Sequence, residues 1–324
     1  MTHIVKLIFL LLIGYNAFSQ ETKIIQKSIY LDSSFYDICK INDNECWIGG
    51  ENGILKSIDN NGNVKNILYP EKNESILRIV KSNKYIYLAA DNGTIYIYNI
   101  ENKQFTKKKF SRKLSKCCFY DLLILDDGSI ILCGGNSKIG KGIKSIPNGF
   151  IIHLDSLCNN KPEFLWTRKI CFVFSLCKSD KNGEIYASAY NGAKSIILKS
   201  NNNGNKWRKY LKIHALIHEI SWIDSNLWYC GSKNRDFTKD GIIGNISNKF
   251  IIQEKGCIWN LLNMNNKIFA FSKSGDIMYL EKNNITINTL INPSYNSLYQ
   301  SVIYSQNKAY IVGRGGEIIQ LDNK

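Results

Sequence analysis

Cys46-Trp-Ile-Gly-Gly-Glu-Asn-Gly-Ile-Leu-Lys56 joins two β-rich runs through a break at small residues, and the chain repeats the phrase six more times. Ile86-Tyr-Leu-Ala-Ala-Asp-Asn-Gly-Thr-Ile-Tyr96 and Ala309-Tyr-Ile-Val-Gly-Arg-Gly-Gly-Glu-Ile-Ile319 are its clearest copies. The others begin at Ile130, Ile185, Leu227 and Ile268 and at the same place in the phrase. From Gly53 to Gly316 six steps cover 263 residues, about 44 per step, a period that belongs to propeller blades. Around each phrase, apolar residues alternate and Gly, Asn, Asp and Lys punctuate, so each repeat reads as four short strands. For the first blade these are residues 36–41, 46–49, 54–58 and 64–68; for the second, 76–80, 85–89, 94–98 and 104–110. No stretch keeps a helical period. The fold class is all-β, a seven-bladed β-propeller with four-stranded antiparallel blades.

The chain ends support the count. The seventh repeat supplies three strands, the last over residues 317–321, and the chain stops at Lys324 without a fourth. Residues 23–31, Lys-Ile-Ile-Gln-Lys-Ser-Ile-Tyr-Leu, form a strand that the first blade does not use. Pairing the two closes the ring and removes the last open sheet edge.

Residues 1–20 stand apart. Lys6, the apolar run from Leu7 to Ile13 and the small residues Ala17-Phe18-Ser19 read as a secretory signal peptide, too short in its apolar part to anchor in a bilayer. The expected organisation is a leader over 1–20 and one propeller over 21–324, secreted or periplasmic, monomeric and without a transmembrane segment. Without Lys6 there are 41 basic and 27 acidic residues, a net charge near +14. Scattered lysines explain it as solubility. There are only six arginines, which disfavours dedicated phosphate recognition and a nucleic-acid partner. The ten cysteines lie mostly inside strand patterns and include no CxxC pair, so they read as small core residues, and no metal is expected.

Ser200-Asn-Asn-Asn-Gly-Asn-Lys-Trp207 resembles the Asp-box of bacterial neuraminidase repeats, Ser-x-Asp-x-Gly-x-x-Trp. Ser200, Gly204 and Trp207 match it, and Asn202 stands where the box has Asp. More broadly the repeats look like the sialidase-like propellers, which include photosystem II assembly factors and secreted bacterial proteins. The box is a folding device: a short polar side chain caps turn amides, glycine takes positive φ, and tryptophan packs on the blade. The resemblance implies a sialidase arginine triad and a Tyr/Glu pair, but this chain has too few arginines and no Phe-Arg-Ile-Pro segment. That argues against the neuraminidase reaction.

Two places draw attention as sites. Aligning the inner strands puts Asp37, Arg78, Asp121, Ser175, Glu219, Asn260 and Ser301 at one position facing the central channel. The preceding places hold Tyr36, Leu77, Tyr120, Phe174, His218, Trp259 and Gln300. Three carboxylates and one arginine there suit a ligand or cation site, or an acid–base pair, while a water-filled channel also explains polar residues. The second place is a basic rim. Blade three has a long link over 135–148 with Lys138, Lys141 and Lys144, and blade five one over 232–240 with Lys233, Arg235 and Lys239. Long loops on a rigid scaffold often carry function, and this rim would suit an anionic glycan or an acidic partner. His214, His218 and Glu219 lie on a strand, where residues four apart are about 13 Å apart and cannot share a metal. No phosphate loop or nucleophile elbow occurs, and no cofactor is expected.

The leading functional reading is a non-enzymatic scaffold that binds a protein or glycan partner through its loop face. The alternatives are a glycan hydrolase or lyase using Asp37, Asp121 and Glu219, and an assembly factor for a membrane protein.

Overall fold

The computed structural model describes residues 22–29, 33–67, 74–110, 114–136, 149–168, 171–180, 183–233, 239–252, 256–281, 284–290 and 297–323. Seven four-stranded antiparallel sheets, six of them with their strands in meander order, form a seven-bladed β-propeller. The inner strands, one per blade, are Phe35–Asn42, Ile76–Lys81, Cys117–Ile124, Phe172–Lys178, Leu216–Ile223, Ile258–Met264 and Leu298–Ser305. Each touches the inner strands of the blades on either side, the seventh touching the first. Thr22–Ile29 pairs antiparallel with Glu317–Asn323 and becomes the outer strand of blade seven. The expected closure is therefore present. All seven residues of Glu317–Asn323 are buried beneath it.

Blade faces pack on one another, so second strands are covered on both sides. Ile185–Tyr190 has no residue outside the buried class, and Tyr85–Ala90 and Lys308–Gly313 are buried beyond their first residue. That is why the repeated phrase is a continuous apolar run and not an alternating one. Between blades one and two, Trp47, Leu55, Ile76, Ile86, Leu88 and Tyr96 form one cluster. Phe35, Ile48, Tyr310 and Val312 form another across the closing seam. Each such aliphatic or aromatic side chain contributes roughly 1.5–3 kcal/mol on burial.

In most blades the second strand closes on the small residues of the phrase, as Glu45–Gly50 and Lys308–Gly313 do, but these residues are not themselves the turn. In blade three, Ile130–Asn136 runs straight through Gly134 and Gly135. The small residue instead faces a β-bulge in the inner strand. Gly50, Ala90, Gly134, Ala189, Gly231, Ser272 and Gly313 pair with the residue just before the bulge in all seven blades. A Cβ on Gly231 would lie 1.9 Å from the Leu216 carbonyl oxygen, which explains glycine there.

Turns between third and fourth strands use one device repeatedly. Asp59, Asn99, Asp155 and Asn245 each accept main-chain N–H bonds from two or more residues ahead. In blade four Ser200 Oγ accepts from Gly204 N at 3.0 Å and Asn202 Oδ1 from Lys206 N at 3.0 Å. Gly204 has φ +87, and Trp207 packs against the core between blades three and four.

Lys107, Lys108 and Lys109 lie in a row on the outer strand of blade two, Gln104–Lys109, within the strand expected over 104–110. Two of its lysines have a further task. Glu74, only 5% exposed, takes Lys107 at 3.1 Å and Lys109 at 3.7 Å, with bonds from Thr94 and Tyr96.

No disulfide joins any of the ten cysteines, and seven of them are buried. Among the described residues no helix is long and apolar enough to cross a membrane, and no three His, Cys, Asp or Glu gather to hold a metal.

Candidate ligand site at the channel mouth

The seven bulges build the site. On an ordinary strand, adjacent side chains point to opposite faces. A bulge places an extra, unpaired residue beside the next paired one, so two successive residues can turn into the channel. The bulged residues are Tyr36, Leu77, Tyr120, Phe174, His218, Trp259 and Tyr299. The paired residues that follow are Asp37, Arg78, Asp121, Ser175, Glu219, Asn260 and Gln300. In blade seven the register therefore corrects the sequence alignment by one. Gln300, not Ser301, occupies the polar position, and Tyr299, not Gln300, the one before it.

The bulged residues form an aromatic collar. Tyr120 meets Phe174 at a centroid distance of 5.3 Å, Phe174 stacks on His218 at 5.4 Å, and His218 meets Trp259 edge-on at 4.2 Å. Trp259 meets Tyr299 at 5.7 Å, and Tyr299 meets Tyr36 at 5.7 Å. The chain of rings spans six blades and breaks only at Leu77. With Arg78, Asp121, Ser175, Glu219 and Gln300 below it, the collar encloses a cavity of about 260 Å³. Hydrogen bonding pins Tyr36: its hydroxyl donates to Glu51 Oε1 at 3.0 Å, and Glu51 Oε2 accepts from Ser34 N.

Beneath the collar the channel narrows to a charged waist. Arg78 Nε lies 2.9 Å from Asp121 Oδ1, and Nη1 donates to Asp37 Oδ1 at 3.4 Å. Burial works against the guanidinium charge, yet Asp121, Asp37 and Glu219 together raise its pKa above the ordinary value. Asp37 Oδ2 also accepts from Ile79 N, and Asp121 Oδ2 from Leu176 N at 2.7 Å. Ser175 Oγ accepts from Ile220 N at 3.3 Å. Each bond runs from the polar position of one blade to the strand of the next, so these side chains fasten neighbouring blades at the hub. Asp37 and Asp121 have both oxygens engaged and are 1% and 4% exposed.

Glu219 differs from them. Its Oε2 accepts from Asn260 Nδ2 at 2.7 Å and its Oε1 from Ser221 Oγ at 3.3 Å, both neutral partners. Asn260 Oδ1 in turn accepts from Ser301 Oγ. Burial pushes the Glu219 carboxyl up to about 7, partly opposed by Arg78. Burial likewise holds Asp37 at about 6 and lowers His218 to about 4, which keeps the imidazole neutral near pH 7. Below the waist a second cavity of about 460 Å³ opens, lined by Asp37, Arg78, Glu219, Asn260, Gln300 and Ser301 among others.

Of the channel residues named from sequence, Asp37, Arg78, Asp121, Glu219 and Asn260 thus meet at the waist, and Trp259 stands in the collar above. The collar as a unit is what sequence reasoning missed. Its signal was present: an aromatic residue directly before a polar one, six times in seven, as in Tyr36-Asp37 and Trp259-Asn260. Of the basic rim, Lys138, Lys141, Lys144 and Arg235 lie outside the described residues. Lys233 and Lys239 are exposed at the two ends of the blade-five link, where Ser232 Oγ donates to the Lys239 carbonyl.

No family model matches the sequence, and no curated protein matches it. Solved structures do match. One is YCF48 bound to a D1 peptide, with a TM-score of 0.68 and 13% identity over 94% of this chain and 97% of that one. YCF48 from Cyanidioschyzon merolae gives 0.65 and 12%, over 93% and 98%. A catalytically inactive virginiamycin B lyase from Staphylococcus aureus with quinupristin gives 0.67 and 13%, over 93% and 99%. The likeness is one of fold. It joins this propeller to others along nearly their whole length.

Proposed function

We propose that this propeller is an exported, non-enzymatic scaffold that binds a protein segment at the collared mouth of its central channel. The observation that carries the reading is the collar itself: an open, aromatic-walled cavity of about 260 Å³ over a polar floor. Concave apolar walls with a few placed polar groups are the usual make-up of a binding site. Asp37 and Asp121, the carboxylates a hydrolase would need, are instead spent on the hub. Export is supported by the leader-like residues 1–20. The YCF48 structure named for its D1 peptide supports a peptide as the kind of partner this fold accepts. The Ser200–Trp207 turn supports a place among sialidase-like propellers, where it serves folding.

The test is peptide display on the purified protein, with enriched peptides measured by calorimetry. Trp259→Ala and Phe174→Ala should each weaken binding at least tenfold without lowering the melting temperature beyond a few degrees. Unchanged affinity in both variants overturns the reading. So does polysaccharide hydrolysis that disappears in Glu219→Gln while that variant stays folded.

A further inference from the structure

We infer that the collared cavity takes an organic cation, an ammonium group on an alkyl chain such as a lysine side chain carries. This rests on the docking reading above and gives the docked segment its chemistry. The charges at the waist do not balance. Three carboxylates, Asp37, Asp121 and Glu219, meet one guanidinium, and Arg78 is already shared between Asp37 and Asp121. Among the described residues, Glu219, which lines the cavity floor, has Asn260 and Ser221 as its hydrogen-bond partners. Of the three carboxylates it alone is only partly buried, so it is the one a cation entering from the mouth can reach. An anion drawn to Arg78 would also meet the repulsion of Asp121, 2.9 Å from its Nε, and of Glu219, which disfavours a phosphate or carboxylate ligand.

The walls favour the same class. Tyr, Phe and Trp rings attract a cation through their quadrupole, most strongly where water is excluded. At the rim, Glu51 is held ionised by the Ser34 N–H and the Tyr36 hydroxyl, with Arg314 as its neighbour. Asp91 also stands near Tyr36. His218, the collar member that could have added positive charge, is neutral.

Cation affinity should therefore depend on Glu219 ionisation. The groups facing Glu219 are Arg78 and Asp121 across the waist, the Cys177 and Cys230 thiols, Asn260 and Ser221. Neither thiol ionises near neutrality, because burial raises both. If affinity scales with the ionised fraction of a group titrating near 7, it rises about tenfold between pH 6 and pH 8.

The experiment is calorimetric titration of the whole protein with Nα-acetyl-lysine amide, with choline, and with the neutral isostere Nα-acetyl-norleucine amide. Both cations should bind, the norleucine amide at least tenfold more weakly, and affinity should rise with pH. Glu219→Gln should flatten the pH profile, and Trp259→Ala should weaken both cations at every pH. Display peptides that bind tenfold tighter than choline would assign the cation to a partner's lysine; equal affinity would assign it to a free amine. The inference fails if neither cation binds at millimolar concentration, if the norleucine amide binds as well, or if affinity is flat with pH. Should display peptides bind through the collar without a preference for cations, the inference falls and the docking reading stands. Should collar substitutions change nothing, the docking reading itself falls.

Discussion

Replacing Asp121 with alanine should test whether the waist holds the ring together. The side chain is 4% exposed, receives the Leu176 N–H of the next blade at 2.7 Å and the Leu122 N–H at 2.8 Å, and lies 2.9 Å from Arg78 Nε. Removing it leaves a buried amide without its charged acceptor, about 1.5–3 kcal/mol. It also strips Arg78 of one of its two carboxylates, and breaking a buried pair costs about 3–5 kcal/mol. The two losses overlap, so about 3–5 kcal/mol is expected in total, a large part of the roughly 5–15 kcal/mol that holds a typical protein folded. Ser175→Ala removes the equivalent clasp without a charge and should cost about 1 kcal/mol. Urea unfolding followed by circular dichroism measures both. A double-mutant cycle with Arg78→Leu then isolates the pair, with an expected coupling of at least about 1.5 kcal/mol. A cost for Asp121→Ala below about 1 kcal/mol, or additivity with Arg78→Leu within about 0.5 kcal/mol, would refute the clasp.

Glu219 gives a pH dependence of definite sign. Its carboxyl titrates at about 7 in the folded chain against an ordinary 4.5, so its contribution to stability is complete below 4.5 and is lost as pH rises through about 7. Asp37, raised to about 6 from 3.8, adds the same sign over a lower window. The Glu219 part is at most about 3 kcal/mol, reduced by the water that reaches this half-buried group. Melting temperatures at pH 5 and pH 8 should differ less in Glu219→Gln than in the wild type, and an equal difference would contradict the assignment. Gly204→Ala meets φ +87 and an Ile131 methyl 2.1 Å from the new Cβ, so it should cost about 3 kcal/mol of combined strain and overpacking. Gly192→Ala has φ +83 but open space, and should cost only about 1–2 kcal/mol; equal losses in thermal melts would show that the contact with Ile131 does not matter. Deleting residues 22–29 uncovers the edge of Glu317–Asn323 and should cause concentration-dependent association on size-exclusion chromatography. A monomer with an unchanged melting temperature would show the closing strand to be dispensable.

Much of the architecture was legible because it is local. The strand pairs of Cys46–Lys56 and its copies are written in consecutive residues, and their spacing gave the blade count. The closing strand was legible as bookkeeping, three strands at one end and a spare at the other. The channel positions of blades one to six were readable for the same reason. Blade seven was not, because Tyr299-Gln300-Ser301 offers two registers and only the pairing of Gln300 with Val312 chooses between them. The collar was hidden by the period-two rule, which sends neighbours such as Trp259 and Asn260 to opposite faces unless a bulge intervenes.

The sequence alone determined that this is a ring of seven sheets and which residues belong to its innermost strands, since hydrophobic periodicity and turn chemistry act over a few residues. Only the tertiary structure decided what those strands present to a ligand. Asp37 finds Ile79 across 42 positions and Asp121 finds Leu176 across 55, so which carboxylates fasten the hub and which stays open depends on ring closure. The charge state of Glu219 follows from burial among groups of other blades, a long-range property that no local pattern encodes.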